Sequence, residues 1–540
     1  MDRVPSHWGW GWEDRFPDRD TRALFAQQLQ MLAGFPAEVD PREPVSLEEA
    51  TIPEARLSAP DALADVALPS RRDRATRCYG RAYRDIVRGF HGDFAAAPDL
   101  VLRPTSEDEV RVALDWASDA GVALVPYGGG TSVVGGVEVE DREAHPGVVC
   151  LDLRAMDRVL EVDETSRAAR IQAGATGPRL EAQLRARGST LRFFPQSFEM
   201  STLGGLLATR AGGHFATRET HIDDLVESTR MVTPAGLFES RRLPGSGAGP
   251  SPDRLVLGSE GTLGVITEAW VRIRPRPVFR ASASVRFADF GDAVAATRAV
   301  SQSGLWPSNC RLLDKREALI NRVATDGSHV LLLGFESADH PVEPWMERAL
   351  ELALDHGGTC KDGAVYRKTP PRAPEAEGDA ARDGAAGRWR QAFLDAPYLV
   401  NSMVSLGILA DTFETACTWD RFEALHRAIV RDVRDAMKRV CGQGMITCRF
   451  THVYPDGPAP YFTFVAPATR GSELSQWREI KAAASDAILA HGGTITHHHV
   501  VGRMHAPWYR RQRPAPFGEV LGAIKRALDP AGVLNPGALI

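Results

Sequence analysis

Pro126-Tyr-Gly-Gly-Gly-Thr-Ser-Val-Val-Gly-Gly136 decides the reading of this chain. It follows the apolar run Val122-Ala-Leu-Val125, so it reads as a strand entering a glycine-rich turn that ends in small hydroxyl residues. Glycines let the backbone take φ > 0, and successive N–H groups then converge into a nest that suits a diphosphate. The spacing is neither Gly-x-Gly-x-x-Gly nor Gly-x-x-x-x-Gly-Lys-Ser/Thr, so neither a Rossmann nor a Walker loop is indicated. A glycine run alone is a tight turn more often than a ligand loop, and the rest of the chain has to decide between them.

The 540 residues exceed one usual domain. Hydrophobic content of 43% and charged content of 25% are ordinary for a globular protein, and a net charge of -6 argues against a nucleic-acid surface. Seven scattered cysteines with no Cys-x-x-Cys pair make a disulfide framework or a thiolate metal site a poor fit, and a reducing compartment a good one. Met1-Asp-Arg-Val-Pro-Ser-His-Trp8 lacks the pattern of a signal peptide, and no run of 18 apolar residues exists. The expectation is a cytoplasmic protein with no membrane span, leaving peripheral lipid contact open.

Residues 1–94, with the start Trp8-Gly-Trp-Gly-Trp12 and one amphipathic helix over Thr21–Leu32, read as an extension draped over a larger body. Ser106 and Glu109 form a capping box that opens a helix over Glu107–Ala120. Further strands are expected at Val148–Leu153, Arg170–Gly174, Ala281–Phe287 and Ala459–Val465, with helices at Gly177–Arg187, Phe290–Ser303, Ser475–His491 and Phe517–Leu528. Helix and strand mix without regular βαβ repetition, which points to α+β architecture. Arg274-Pro-Arg-Pro277 marks a boundary, and 368–388, rich in Ala, Pro, Gly and acids, reads as a flexible insertion.

Four separated motifs go together: Pro126–Gly136, Pro195-Gln-Ser-Phe-Glu-Met-Ser-Thr-Leu-Gly-Gly205, Gly258-Ser-Glu-Gly-Thr-Leu-Gly-Val-Ile-Thr267 and Leu534-Asn-Pro-Gly537. On them the chain resembles the vanillyl-alcohol-oxidase/p-cresol-methylhydroxylase flavoprotein superfamily. Within it, the chain looks most like the alkyldihydroxyacetonephosphate synthases. That likeness is nearly end to end and includes Arg311-Leu-Leu-Asp314, Asp411-Thr-Phe-Glu-Thr-Ala-Cys-Thr-Trp-Asp-Arg421, Cys448-Arg-Phe-Thr-His452, Tyr461-Phe-Thr-Phe464 and His497-His-His499. The resemblance implies an FAD-binding domain of the p-cresol-methylhydroxylase type in two parts (95–277), an α+β cap domain (278–500) and a C-terminal segment (501–540) that returns to the FAD domain. A homodimer is implied as well.

For the cofactor, the resemblance assigns Pro126, Tyr127, Gly128, Gly129, Gly130, Thr131 and Ser132 to the diphosphate loop. It adds Pro195, Ser197, Ser201, Thr202, Thr209, Arg210 and Ala211, and then Glu260, Gly261, Thr262, Gly264 and Val265. No histidine lies within Tyr127–Gly136, so FAD is expected to be held non-covalently.

For the substrate, the resemblance makes Tyr461 an acid/base residue beside His498 and His499, with Arg311 and His497 binding substrate. A phenol has a pKa near 10 and needs a neighbouring cation or donor to serve as a base; His498 or His499 can provide it. Arg449 reads as structural. Three consecutive histidines on a strand alternate faces, which disfavours one metal held by all three, and no metal is expected. The implied reaction exchanges the acyl group of acyl-dihydroxyacetone phosphate for a fatty alcohol through a flavin N5 adduct.

Two positions depart from the synthase pattern. Val400 stands where the synthases have an arginine that contacts the substrate phosphate, with Arg388 and Arg390 as nearby substitutes, and Val500 replaces a glycine after the histidines. The alternative is an FAD-dependent oxidoreductase that takes hydride from a 2-hydroxy acid or another alcohol.

Overall fold

The computed structural model describes residues 3–34, 41–369 and 384–540. Most of the insertion expected at 368–388 lies outside them. Its last residues are helical: Gly384–Ser405 is one helix, whose Ala, Arg, Gln and Leu residues favour that state although Gly384 and Gly387 do not.

Three large sheets organise the described residues, beside a two-stranded pair of Arg274–Pro275 with Ser189–Thr190. The first is a parallel three-stranded sheet with Val148–Asp152 between Leu100–Leu102 and Ala123–Tyr127. Helix Glu107–Ala120 packs against it, capped as expected: Ser106 Oγ accepts from Glu109 N at 3.3 Å, and a Glu109 oxygen accepts from Ser106 N at 3.3 Å. Such a box contributes about 1 kcal/mol. The second sheet is antiparallel and five-stranded, ordered Val159–Asp163, Ala168–Gln172, Val265–Arg272, Val226–Thr233, Gly236–Glu239.

The third sheet has seven antiparallel strands: Val365–Lys368, Phe279–Phe287, His329–Ser337, Asn309–Leu313, Met445–Val453, Pro458–Pro467 and Ile408–Glu414. One face carries the helices Phe290–Gln302, Glu343–Leu354, Trp419–Cys441 and Glu473–Ala490 over the largest core. Side chains alternate across a strand, so Phe413, Phe450, Phe462 and Phe464 enter that core while Thr412, Arg449, Tyr461 and Thr463 turn to a cavity on the other face. Phe413 stacks on Phe462 at 5.0 Å. Each buried ring adds about 1.5–3 kcal/mol, which fixes the register and with it the cavity face.

The N-terminal segment ties the core of the seven-stranded sheet to the first sheet, and the other end of the chain returns to the first sheet. Trp8 packs edge-on against Phe90 at 5.3 Å, and Arg77 forms a buried ion pair with Asp152 at 2.8 Å. At the other end Leu534 bridges Leu124 in parallel, with Leu124 N donating to Val533 O at 2.8 Å and Asn535 N to Leu124 O at 2.9 Å. The tail therefore lies beside the strand that feeds the glycine loop.

Candidate active site

A cavity of about 420 Å³ runs from the glycine loop to the histidine run. At one end Gly129 passes so close to the Met200 carbonyl that a Cβ there would collide with it, and Gly130 has φ +64°. These two positions require glycine. Among the described residues, the backbone amides of Gly128, Gly129, Gly130, Thr131 and Ser132 have no protein acceptor. A run of unused donors is what an anionic diphosphate satisfies. Thr131 Oγ1 lies 3.0 Å from Ser201 Oγ, which lies 2.7 Å from Ser197 Oγ, so a hydroxyl ladder joins the two motifs.

Of the residues expected at the cofactor, all but Arg210, Thr262 and Val265 line this cavity. The Arg210 guanidinium pairs instead with Asp223 at 2.8 Å. The Thr262 hydroxyl donates to Ser259 O at 2.6 Å and so holds its own turn. Val265 packs in the core beneath the first sheet. Glu260 reaches the tail, accepting from Gly502 N at 2.7 Å and Val501 N at 3.2 Å. Burial pushes its pKa up to about 7 despite those two amides. Arg81 also lines the cavity; its backbone N–H donates to Ser132 O at 2.6 Å, its guanidinium donates to the carbonyls of Tyr79 at 3.2 Å and Gly80 at 2.7 Å, and it pairs with no carboxylate among the described residues. Its place in the N-terminal segment gave no motif to find it by, yet it brings a cation to the glycine loop.

At the other end, sheet register sets Arg449, Tyr461 and Glu414 side by side on three adjacent strands. The Arg449 guanidinium lies 4.0 Å from the Tyr461 ring centroid and pairs with Glu317 at 2.6 Å. Tyr461 O–H donates to Thr412 Oγ1 at 2.8 Å. Burial raises the phenol's pKa, against the lowering effect of Arg449 and Thr412. The cation beside the phenol is thus Arg449, which had read as structural, and not a histidine.

His497–His499 form a turn, not a strand, so the alternation of faces does not hold. Glu414 builds the turn. Its carboxylate accepts from His497 N at 2.5 Å, His498 N at 3.1 Å, His499 N at 3.0 Å and the Thr496 hydroxyl at 2.6 Å. Burial pushes Glu414 up, but the adjacent imidazoles and the Thr496 hydroxyl outweigh it and hold the carboxyl well below its usual range. Burial lowers the His498 imidazole to about 3 and His499 to about 4, more than Glu414 raises them, so both rings are neutral. His498 and His499 line the cavity; His497 does not, and faces Tyr454 and His221 behind it. Ring nitrogens of His452, His497 and His498 lie within 4.8 Å of one another. The two Nδ1 atoms of His497 and His498 are hydrogen-bonded at 3.0 Å, and His452 Nε2 meets Gly213 O at 3.1 Å.

Arg311 is 5% exposed, donates to His214 O at 3.2 Å and leaves Nε without a partner. No carboxylate pairs with it among the described residues, and burial lowers its pKa to about 10, with Arg449 adding to the effect.

Two family models match: an FAD binding domain over residues 98–240 and the C-terminal domain of FAD linked oxidases over residues 276–539. The alkyldihydroxyacetonephosphate synthase of Dictyostelium discoideum is 32% identical over 492 residues, 89% of this chain and 79% of that protein. The chain belongs to the alkyldihydroxyacetonephosphate synthase family. A solved alkyldihydroxyacetonephosphate synthase superposes with a TM-score of 0.78 at 25% identity, covering 98% of each chain. p-Cresol methylhydroxylase shares the fold at a TM-score of 0.67 and 15% identity, over 88% of this chain and 94% of that one. The protein is an FAD-dependent enzyme. No helix among the described residues is long and apolar enough to cross a membrane.

The two expected departures from the synthase pattern, Val400 and Val500, both lie within the described residues. Val400 lines the cavity from helix Gly384–Ser405 and offers it no donor. Arg388 does not replace it, since its guanidinium donates to the carbonyls of Arg322 at 2.7 Å and Val323 at 3.3 Å; the Arg390 side chain is outside the described residues. Val500 has a left-handed backbone, at φ +64°. A β-branched residue there carries about 1–2 kcal/mol of strain. Val500→Gly is expected to raise the thermal midpoint, with a net gain of about 1 kcal/mol or less because glycine frees the unfolded chain. An unchanged or lower midpoint would mean that Val500 packing outweighs the strain.

Proposed function

We propose that this protein is an alkyldihydroxyacetonephosphate synthase that exchanges the acyl group of an acyl-dihydroxyacetone phosphate for a fatty alcohol. The observation that carries the reading is Arg311: a buried guanidinium without a counter-ion, facing the same cavity as Tyr461 and His498. A buried cation is costly unless an anion completes it, and a phosphate does so with charge-assisted hydrogen bonds. With Val400 in place of an arginine, the phosphate would depend on Arg311, with Arg449 beside it.

FAD fits the residues present, and we assign it to the loop Gly128–Ser132 with Ser197, Ser201 and Arg81, held without a covalent link. When bound it supplies a reversible electron sink. The chain's own groups do the rest. A neutral His498 can take the proton beside the substrate ketone, and the Tyr461 phenol, polarised by Arg449, can donate one to the departing acyloxy oxygen. Arg311 orients the phosphate. A cytoplasmic homodimer accompanies this reading.

The test is anaerobic titration of the yellow protein. Bleaching by acyl-dihydroxyacetone phosphate, reversed by fatty alcohol without oxygen, supports the synthase. Bleaching only by 2-hydroxy acids, reversed by an electron acceptor, establishes the second reading, an oxidoreductase, which the donor-free Val400 wall favours. Arg311→Leu is expected to raise KM for the phosphorylated ketone by about one to two orders of magnitude, from the loss of about 1.5–3 kcal/mol of charged hydrogen bonding. An unchanged KM would place the phosphate elsewhere.

A further inference from the structure

We propose that His498, His497, Tyr454, Thr220 and His221 form one proton relay from the cavity to the partly exposed His221. The inference rests on the reading above for its substrate but not for its wiring. His498 Nδ1 lies 3.0 Å from His497 Nδ1, and His497 Nε2 lies 2.7 Å from Tyr454 Oη. Tyr454 Oη is 2.9 Å from Thr220 Oγ1, which is 3.2 Å from His221 Nδ1. His221 Nε2 ends the chain 2.9 Å from the His497 carbonyl oxygen.

That carbonyl sets every hydrogen in the series. A carbonyl only accepts, so His221 carries its hydrogen on Nε2, and its neutral ring accepts at Nδ1. Thr220 then donates its single hydroxyl hydrogen to His221 Nδ1 and must accept from Tyr454. Tyr454, with one hydrogen, must accept from His497 Nε2–H. His497 Nδ1 is left to accept from His498 Nδ1–H. The result is a bare lone pair on His498 Nε2. That atom has no protein partner among the described residues, and its ring lines the cavity.

A proton arriving at His498 Nε2 releases the Nδ1 hydrogen to His497 Nδ1. His497 passes its Nε2 hydrogen to Tyr454, Tyr454 passes its own to Thr220, and Thr220 passes its own to His221 Nδ1. Every ring and hydroxyl on the way ends neutral, and His221 ends as an imidazolium with hydrogens on both nitrogens. Reversal returns the proton to His498 Nε2, now as an acid. Burial disfavours a resting charge on His498 and His497, so neither ring keeps the proton. His498 thereby serves as base and then as acid, while Tyr454 and Thr220 are positioning residues that set its tautomer.

Thr220 allows a shape-preserving test. Thr220→Val removes the hydroxyl and keeps the volume, whereas Thr220→Ser keeps the hydroxyl. The readouts are histidine 15N NMR of the resting holoenzyme and the loss of deuterium to water from the substrate carbon beside the ketone. Wild type is expected to show His498 protonated at Nδ1. Thr220→Val should mix the tautomers and slow exchange about 100-fold at unchanged KM, the scale of losing general acid–base catalysis; Thr220→Ser should restore both. A wild-type His498 protonated at Nε2, an unimpaired Thr220→Val, or a Thr220→Ser as slow as the valine variant would each overturn the relay. If wild type ignores the ketone but is bleached by a 2-hydroxy acid, the synthase reading fails alone. The same valine/serine comparison is then made on that bleaching, because removing a hydroxyl proton needs the same base.

Discussion

Glu414→Ala is expected to abolish turnover and lower the stability of the cap by about 3–5 kcal/mol, while the protein stays yellow. The carboxylate is 2% exposed and accepts from three consecutive backbone amides and the Thr496 hydroxyl. Hydrogen bonds to a charged group are worth about 1.5–3 kcal/mol each, and deleting the acceptor leaves the His497 and His498 amides without partners, while His499 N keeps Thr496 Oγ1 at 3.0 Å. Their sum is not additive, so removal of one buried ionic partner is the better scale. The chemical consequence follows from geometry: without the carboxylate nothing fixes His498 and His499 beside Tyr461. FAD retention follows because the glycine loop and the Glu260–Gly502 clasp do not involve Glu414. Glu414→Gln should fall between, since an amide keeps one oxygen but turns a donor toward a second N–H. Thermal melting and bound-flavin absorbance check the pair. An alanine variant that melts like wild type would mean that the turn is held by the neighbouring strand alone.

Glu414 also shows where the sequence stops being legible. The stretch Asp411–Arg421 could be picked out by resemblance, but nothing in Asp-Thr-Phe-Glu-Thr says that the acid closes a turn more than 80 residues away. Period-two alternation separates Phe462 and Phe464 from Tyr461, and the structure agrees. It misleads at His497–His499, because alternation presumes a strand and these residues wrap around a carboxylate. Capping chemistry is local, so helix Glu107–Ala120 was readable to the residue. Helix Gly384–Ser405 was hidden by the composition that precedes it. Arg81 and the series from Tyr454 to His221 carry no motif at all, because tertiary contact alone gives them a role.

Acidification is expected to inactivate and unfold the protein steeply between about pH 6 and 5. Burial lowers His498 to about 3 and His499, His505 and His426 to about 4, and holds His452 and His497 well below the usual value. In the unfolded chain each titrates near about 6.5. Between that value and the folded ones the unfolded state binds protons that the fold refuses, so stability falls as pH falls, by up to about 1.4 kcal/mol per pH unit for each group. Glu260 and Asp314 act in the opposite sense, since burial raises them to about 7 and about 6, and the fold binds their protons first. His7 and His329 join the lowered imidazoles, and Asp85 and Glu181 the raised carboxyls, so eight groups oppose four and leave a net slope of several kcal/mol per pH unit, against a total stability of about 5–15 kcal/mol. Glu414 adds to the loss only at lower pH, where the unfolded carboxyl begins to protonate near about 4.3. Circular dichroism and flavin release followed from pH 8 to 4 measure the slope. A fold that persists to pH 4 would mean that the buried imidazoles accept charge in place, with Glu414 as their counter-ion.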